Sequence, residues 1–348
     1  MNETADKLFI STSSPHLRDT DSINKIMWTV NVALIPALIM AYYFFGTRAL
    51  WITLLAVVAA VATEALVHRV AGKSIRIHDG SAVITGILLA FNLPASAPWW
   101  MPIVGSVFAI VIVKELFGGL GNNILNPALA ARAFLLASWP VEMTASWVSP
   151  REGTLSGISA ITSATPLSLL KDSAEIIANP QNYEPGRVQQ AQEAIANLSS
   201  SYSNLLIGNV GGCIGETSVI ALLIGALFMF YRHVLTWQIP FTYIGTVALL
   251  AWIFGGSEGL FTGNWIFHIL SGGLILGAFY MATDMVTSPL NSRGQIIFGV
   301  GCGILTVAIR LWGGYPEGVS YSIILMNLAV PLIDRYTVPS VFGEVNKK

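Results

Sequence analysis

The stretch ALWITLLAVVAAVATEALV, residues 49–67, holds one charge, Glu64, in a run long enough to cross a bilayer as a helix. A spanning helix needs roughly 20 mostly apolar residues at about 1.5 Å each to cover about 30 Å of hydrocarbon. Runs of this kind recur at 26–45, 81–97, 100–117 and 124–139, and again at 217–235, 239–255, 264–282, 295–311 and 319–335, about ten in all. The third and fifth are the weakest, because Asn92-Leu93-Pro94 ends one early and Asn126-Pro127 interrupts the start of the other. Short or broken helices are tolerated in lipid where protein or a cavity covers their free backbone groups. Composition agrees: 54% hydrophobic residues, 11% charged residues and a mean hydropathy of +0.65 would leave a water-soluble globule with more apolar surface than it could bury. The sequence predicts an all-α polytopic membrane protein.

Comparing the halves exposes a repeat. Glu115-Leu116-Phe117-Gly118-Gly119 resembles Arg310-Leu311-Trp312-Gly313-Gly314, and each leads through an asparagine, Asn126 or Asn327, into a last helix. Similarly, His78 precedes the third helix and His268 lies in the eighth. Five helices per unit is an odd number, so the second unit enters from the side opposite the first, which predicts an inverted repeat. Charge placement points the same way. Lys7, Arg18, Lys25, His68, Arg69, Lys73, Arg76, Lys114, Arg232, His233, Arg293, Arg335, Lys347 and Lys348 all fall on one side of a ten-helix count. By the positive-inside rule that side, with both termini, is cytoplasmic. The polar stretch between the halves falls outside, where Glu142, Glu152, Asp172, Glu175, Glu184 and Glu193 outweigh Arg151, Lys171 and Arg187. Within it, residues 187–198 are rich in good helix formers and predict a short helix. The expected organisation is a cytoplasmic arm at 1–25, a first repeat at 26–139, an extracytoplasmic loop at 140–216, a second repeat at 217–335 and a cytoplasmic tail at 336–348. The arm contains Glu3, Asp6, Asp19 and Asp21 and lacks the apolar core of a signal peptide, so the first apolar run is expected to stay as an anchor. Tryptophans near the predicted helix ends, Trp28, Trp51, Trp99, Trp100, Trp139, Trp237, Trp265 and Trp312, read as an aromatic belt.

Several function classes drop out. A net charge of −1 without Lys/Arg clusters excludes a nucleic-acid binder. Two cysteines, Cys213 and Cys302, are too few for a cysteine-ligated zinc or iron–sulfur centre within the chain, and a disulfide is not expected with Cys302 inside an apolar run. The sequence has no HExxH, Walker loop, GxGxxG after a strand or GxSxG elbow, so no catalytic set is assigned. The glycine-rich segment from Gly208 to Ser218 reads as a tight entry turn with Thr217 or Ser218 as helix cap. Thr165 stands on an extended segment before Pro166 with small neighbours Ser163 and Ala164, so its hydroxyl is expected to be accessible; by residue type alone it is the cap of a helix starting at Pro166. Ionisable residues in or beside spans are ion-path candidates. They are Glu64, Lys114, Glu115, Arg132, Asp284, Arg310 and Asp334, with Asp284 and Asp334 preferred. Lys114 and Glu115, being adjacent, are not expected to share a helix face. On these features alone, an inverted-repeat channel or secondary transporter of the urea- or ammonium-channel kind is the competing reading.

Four motifs in order, Ser14-Pro15-His16, Asn126-Pro127-Ala128-Leu129-Ala130-Ala131-Arg132-Ala133-Phe134, Ser163-Ala164-Thr165-Pro166-Leu167 and Gly215-Glu216-Thr217-Ser218, change the balance. Over nearly the whole chain the sequence resembles the family that joins the D subunit of Rnf ion-translocating electron-transport complexes with the B subunit of the Na⁺-translocating NADH:quinone reductase. The short arm before the first helix is nearer the Rnf side. The resemblance implies an electron-transfer subunit in the bacterial plasma membrane, with FMN esterified through its phosphate to Thr165 beside Ser163 and Ala164. Ser159 and Ser163 stand where the family's pattern often has Asp and Gly. The resemblance also implies a second flavin, riboflavin, or a quinone near Gly118 and Gly119. Implied partners are a second flavinylated subunit, iron–sulfur membrane subunits and subunits that bind NAD and ferredoxin. The complex would couple ferredoxin:NAD⁺ electron transfer to movement of Na⁺ or H⁺.

Overall fold

A computed structural model describes residues 21–74, 77–144, 147, 150, 165–196, 202–216, 218–256 and 259–338. Among these the chain is helical, and β-pairing is limited to one isolated bridge between Pro94 and Cys213. In the first half, α1 (Ile23–Ala33) is capped by the Ser22 hydroxyl and passes at Leu34 into α2 (Ile35–Phe45), whose Pro36 lacks an N–H and marks the joint. Gly46, at φ 68°, reverses the chain into α3 (Thr47–Val70). There follow α4 (Ser81–Phe91), α5 (Trp100–Phe108) with its π-wound continuation Ala109–Glu115, and α6 (Pro127–Ser138), started by the Asn126 side chain accepting from the backbone N of Ala128 and Leu129. The middle supplies α7 (Pro140–Thr144), α8 (Pro166–Ala178), α9 (Pro185–Ala196) and α10 (Tyr202–Ile207). The second half has α11 (Val219–Tyr231), capped by Ser218, α12 (Gln238–Phe254), α13 (Trp265–Leu270), α14 (Leu274–Leu276) with the π turn Gly277–Met281, α15 (Ser292–Trp312) and α16 (Val319–Tyr336).

Among the described residues three helical stretches are long and apolar enough to span a bilayer, Ile23–Phe45, Thr47–Val70 and Ser292–Trp312, and shorter apolar helices accompany them. Large side chains such as Ile39, Trp51, Leu54, Val58, Leu227, Trp252 and Leu332 face outward, as they do on a surface covered by lipid or by partner subunits. The halves pack alike: α3 lies along α4 and α5 as α12 lies along α13 and α15, and α6 meets α5 as α16 meets α15. Across the halves α1 and α2 meet α11, while α6 meets α16.

The run expected as one span at 264–282 is instead interrupted. Gly272 and Gly273 take φ of 67° and 64°; a Cβ on the first would collide with Leu167 Cδ1, and one on the second would lie 2.5 Å from Glu216 Oε1. The interruption frees backbone carbonyls, and Arg310 covers them: it donates to the carbonyls of His268 (2.5 Å), Ser271 (3.0 Å) and Gly272 (3.3 Å). In the first half the break after α4 is held by Arg132, which donates to Asn92 Oδ1 at 3.0 Å. The middle segment docks on this end of the molecule through Leu167, Leu205 and Phe267 and through a Tyr202 hydroxyl bond to Asn264 Oδ1 at 2.7 Å.

Candidate functional site

Thr165 ends the extended entry to α8 at φ −67° and ψ 152°, and its Oγ1 accepts from the backbone N of Ser168 at 3.2 Å while contacting the Ser168 hydroxyl. The capping role read from residue type is therefore present. Thr165 is less open than expected, at 5% exposure. Thr165 and Ser168 line a cavity of about 330 Å³, within the range of about 300–1,000 Å³ typical of small-molecule sites. Its walls include Arg132, Trp147, Tyr315, Glu317 and Tyr321. Ser163, Ala164 and Ser159 lie outside the described residues.

Two buried arginines and two carboxylates lie behind Thr165. Arg132 pairs with Glu317 and donates to Ser320 Oγ at 2.8 Å, yet its Nε has no hydrogen-bond partner. Carboxylate oxygens of Glu216 and Glu317 and the Cys213 thiol lie within 4.8 Å of one another. Burial, and then the neighbouring Glu317 carboxylate, push the Glu216 carboxyl up to about 8. Burial likewise raises the Cys213 thiol, which suits a structural cysteine better than a nucleophile. Glu317 was not singled out in the sequence. It meets Arg132 across 185 positions of chain, a pairing that no local pattern announces.

The chain holds a second polar cluster where α3 ends and the π turn after α5 finishes. Lys114 Nζ bonds Glu64 Oε1 at 2.6 Å and Ser81 Oγ at 2.7 Å; Glu115 meets His68 Nε2 at 3.2 Å and Lys73 Nζ at 3.4 Å. Lys114 and Glu115 take different partners, Lys114 reaching Glu64 of α3 and Ser81 of α4 and Glu115 reaching His68 near the end of α3 and Lys73 beyond it. Gly118 and Gly119, at φ 118° and 92°, close the turn and line a cavity of about 500 Å³ with Glu64, His68, Lys73, Asp79 and Glu115. Five of the eleven lining residues are ionisable, and Ile23 and Leu120 stand beside them.

Asp284 lines a smaller cavity of about 100 Å³ with Lys114, Met229 and Phe279; it accepts from Thr287 Oγ1 at 3.1 Å, and burial raises its carboxyl. Asp334 lies elsewhere, near the end of α16, where it accepts from the backbone N of Leu290 at 3.2 Å. The structure does not bring these two aspartates together.

The NQR2, RnfD, RnfE family profile matches residues 10–343. The chain is 48% identical over 331 residues, 95% of this chain and 94% of the relative, to the D subunit of the Na⁺-translocating ferredoxin:NAD⁺ oxidoreductase complex of Acetobacterium woodii. It is 47% identical over 336 residues, 97% and 96% of the two chains, to the D subunit of the proton-translocating ferredoxin:NAD⁺ oxidoreductase complex of Clostridium ljungdahlii. To the D subunit of the ion-translocating oxidoreductase complex of Stutzerimonas stutzeri it is 38% identical over 332 residues, 92% of each chain.

Proposed function

The chain belongs to the NQR2, RnfD, RnfE family, and from that premise we propose that it is the electron-transfer D subunit of a ferredoxin:NAD⁺ oxidoreductase complex, carrying FMN as a phosphoester on Thr165. The observation that supports this best is Thr165 in the wall of a cavity of about 330 Å³ that Arg132 and three aromatic residues also line. The residues fit the group. The N-terminus of α8 and the unpartnered Nε of Arg132 favour a phosphodiester, and Trp147, Tyr315 and Tyr321 offer flat faces to a flavin ring. When bound, FMN supplies one- and two-electron chemistry that side chains lack. The protein's part is to hold the phosphate, pack the ring and keep Arg132 neutralised through Glu317.

The fold completes the proposal. Two five-helix units of opposite orientation would place the Thr165 end outside the plasma membrane and both termini in the cytoplasm, a reading supported by the matching helix contacts of the halves and the one-sided basic residues. Partners then supply what this chain lacks: a second flavinylated subunit, iron–sulfur membrane subunits and the NAD- and ferredoxin-binding subunits. One relative is named for Na⁺ and another for protons, so either ion fits. Riboflavin or a quinone at the Gly118–Gly119 turn is the second occupancy to consider, in a cavity that joins ionisable residues with Ile23 and Leu120.

The test is a denaturing gel of the protein made with a flavin transferase and viewed under ultraviolet light. A fluorescent band that Thr165→Ala abolishes is expected. A dark wild-type band would return the chain to the channel or transporter reading. For the ion path, Asp284→Asn and Asp334→Asn are expected to impair ion transport in vesicles while leaving flavin attachment intact; equal loss of both activities would remove that aspartate from the path.

A further inference from the structure

The cluster between α3 and the π turn has features that an ion-pair network does not explain. Glu64 and His68 stand four residues apart on α3, hence on one face, with Glu115 opposite, and their ligand atoms lie within 4.8 Å of one another. Glu64 is 2% exposed and Lys114 occupies only its Oε1; Oε2 has no hydrogen-bond partner. Leaving a buried carboxylate oxygen unsatisfied is costly. The His68 Nε2 to Glu115 Oε1 separation of 3.2 Å exceeds the about 2.7–2.9 Å of a charge-assisted hydrogen bond. It matches the roughly 3.3 Å edge between two ligands of a tetrahedral ion with bonds of about 2.05 Å.

We infer that Glu64, His68 and Glu115 form a binding site for a first-row transition-metal dication of the Zn²⁺ type, with water as fourth ligand. One imidazole and two carboxylates make a mixed nitrogen and oxygen set, which suits such ions. Mg²⁺ and Ca²⁺ prefer all-oxygen shells. The adjoining cavity of about 500 Å³ provides the way in. Lys73, whose side chain is 47% exposed, holds Glu115 at 3.4 Å and is the cation a metal would displace. Bound metal would tie α3 to the end of the π turn. The site lies apart from the Thr165 cavity, so the inference does not rest on flavin attachment.

The experiment uses the intact detergent-purified complex in metal-free buffer, titrated with Zn²⁺ against a chromophoric chelator. Wild type is expected to hold one Zn²⁺ more per complex than His68→Gln, and Glu64→Gln to behave like His68→Gln. His68→Asp, which keeps a ligand, should retain the ion. Lys73→Gln should tighten binding about tenfold, since it removes the competing ammonium; a purely structural cluster would not respond in that direction. Equal Zn²⁺ content and affinity in wild type and His68→Gln overturns the proposal, as does displacement of the ion by an equal concentration of Mg²⁺. Riboflavin released from wild type but not from His68→Gln, with no difference in Zn²⁺, would give the cavity to a flavin instead.

Discussion

Glu216 shows how one half-buried carboxyl sets a pH dependence for the chain. Its folded pKa of about 8 stands above the ordinary 4.5, so between these values the folded protein binds a proton that the unfolded chain has released. Stability from this group is fully present below the unfolded value and is lost as pH rises toward 8. The melting temperature of the wild-type complex should therefore fall between about pH 5 and pH 8 relative to Glu216→Gln, in which that component is flat; parallel profiles would assign the effect to other groups. The capping role of Thr165 was legible in the sequence because Pro166 follows it. Glu317 was not, since its importance comes from Arg132 and Glu216 arriving from other helices. Burial of Thr165 was not readable either, since composition describes the segment but not what packs on it.

At the scale of elements, glycines mark where helices touch backbone to backbone. A Cβ on Gly225 of α11 would overlap the Ala33 carbonyl oxygen of α1, and one on Gly86 of α4 would sit 2.6 Å from the Val57 Cα of α3. Overpacking of this kind typically costs about 1–3 kcal/mol, so Gly225→Ala should lower the melting temperature of the complex by several degrees, whereas Gly245→Ala, with nothing within 4 Å of its Cβ, should not. Equal melting temperatures for the two variants would mean that α1 and α11 are not in contact as described. Helix positions were largely readable: the runs at 239–255, 295–311 and 319–335 are α12, α15 and α16 within a few residues, and the helix expected at 187–198 is Pro185–Ala196. Apolar length and the Asn126-Pro127 cap carried that reading. The interruption at Gly272 and Gly273 was missed, since glycine is common in membrane helices and only the approach of Leu167 and Glu216 demands it there.

For the whole molecule, orientation is the proposal easiest to test, because both native cysteines are buried and leave a quiet background for thiol reagents. A cysteine in place of exposed Gln190 on α9 should react with a membrane-impermeant maleimide in intact cells, and one in place of Lys73 only after permeabilisation. The reverse pattern would invert the assignment and remove Thr165 from the outer face. A likeness of the halves was suggested by Phe117-Gly118-Gly119 and Trp312-Gly313-Gly314, and to it the structure adds similar contacts, α3 with α4 and α5 and α12 with α13 and α15. An interrupted helix usually invites flexing at the gap. Here Arg310 supplies the donors that the gap in the second half lacks, so bending the chain at that point would first have to break its bonds to the carbonyls of His268, Ser271 and Gly272.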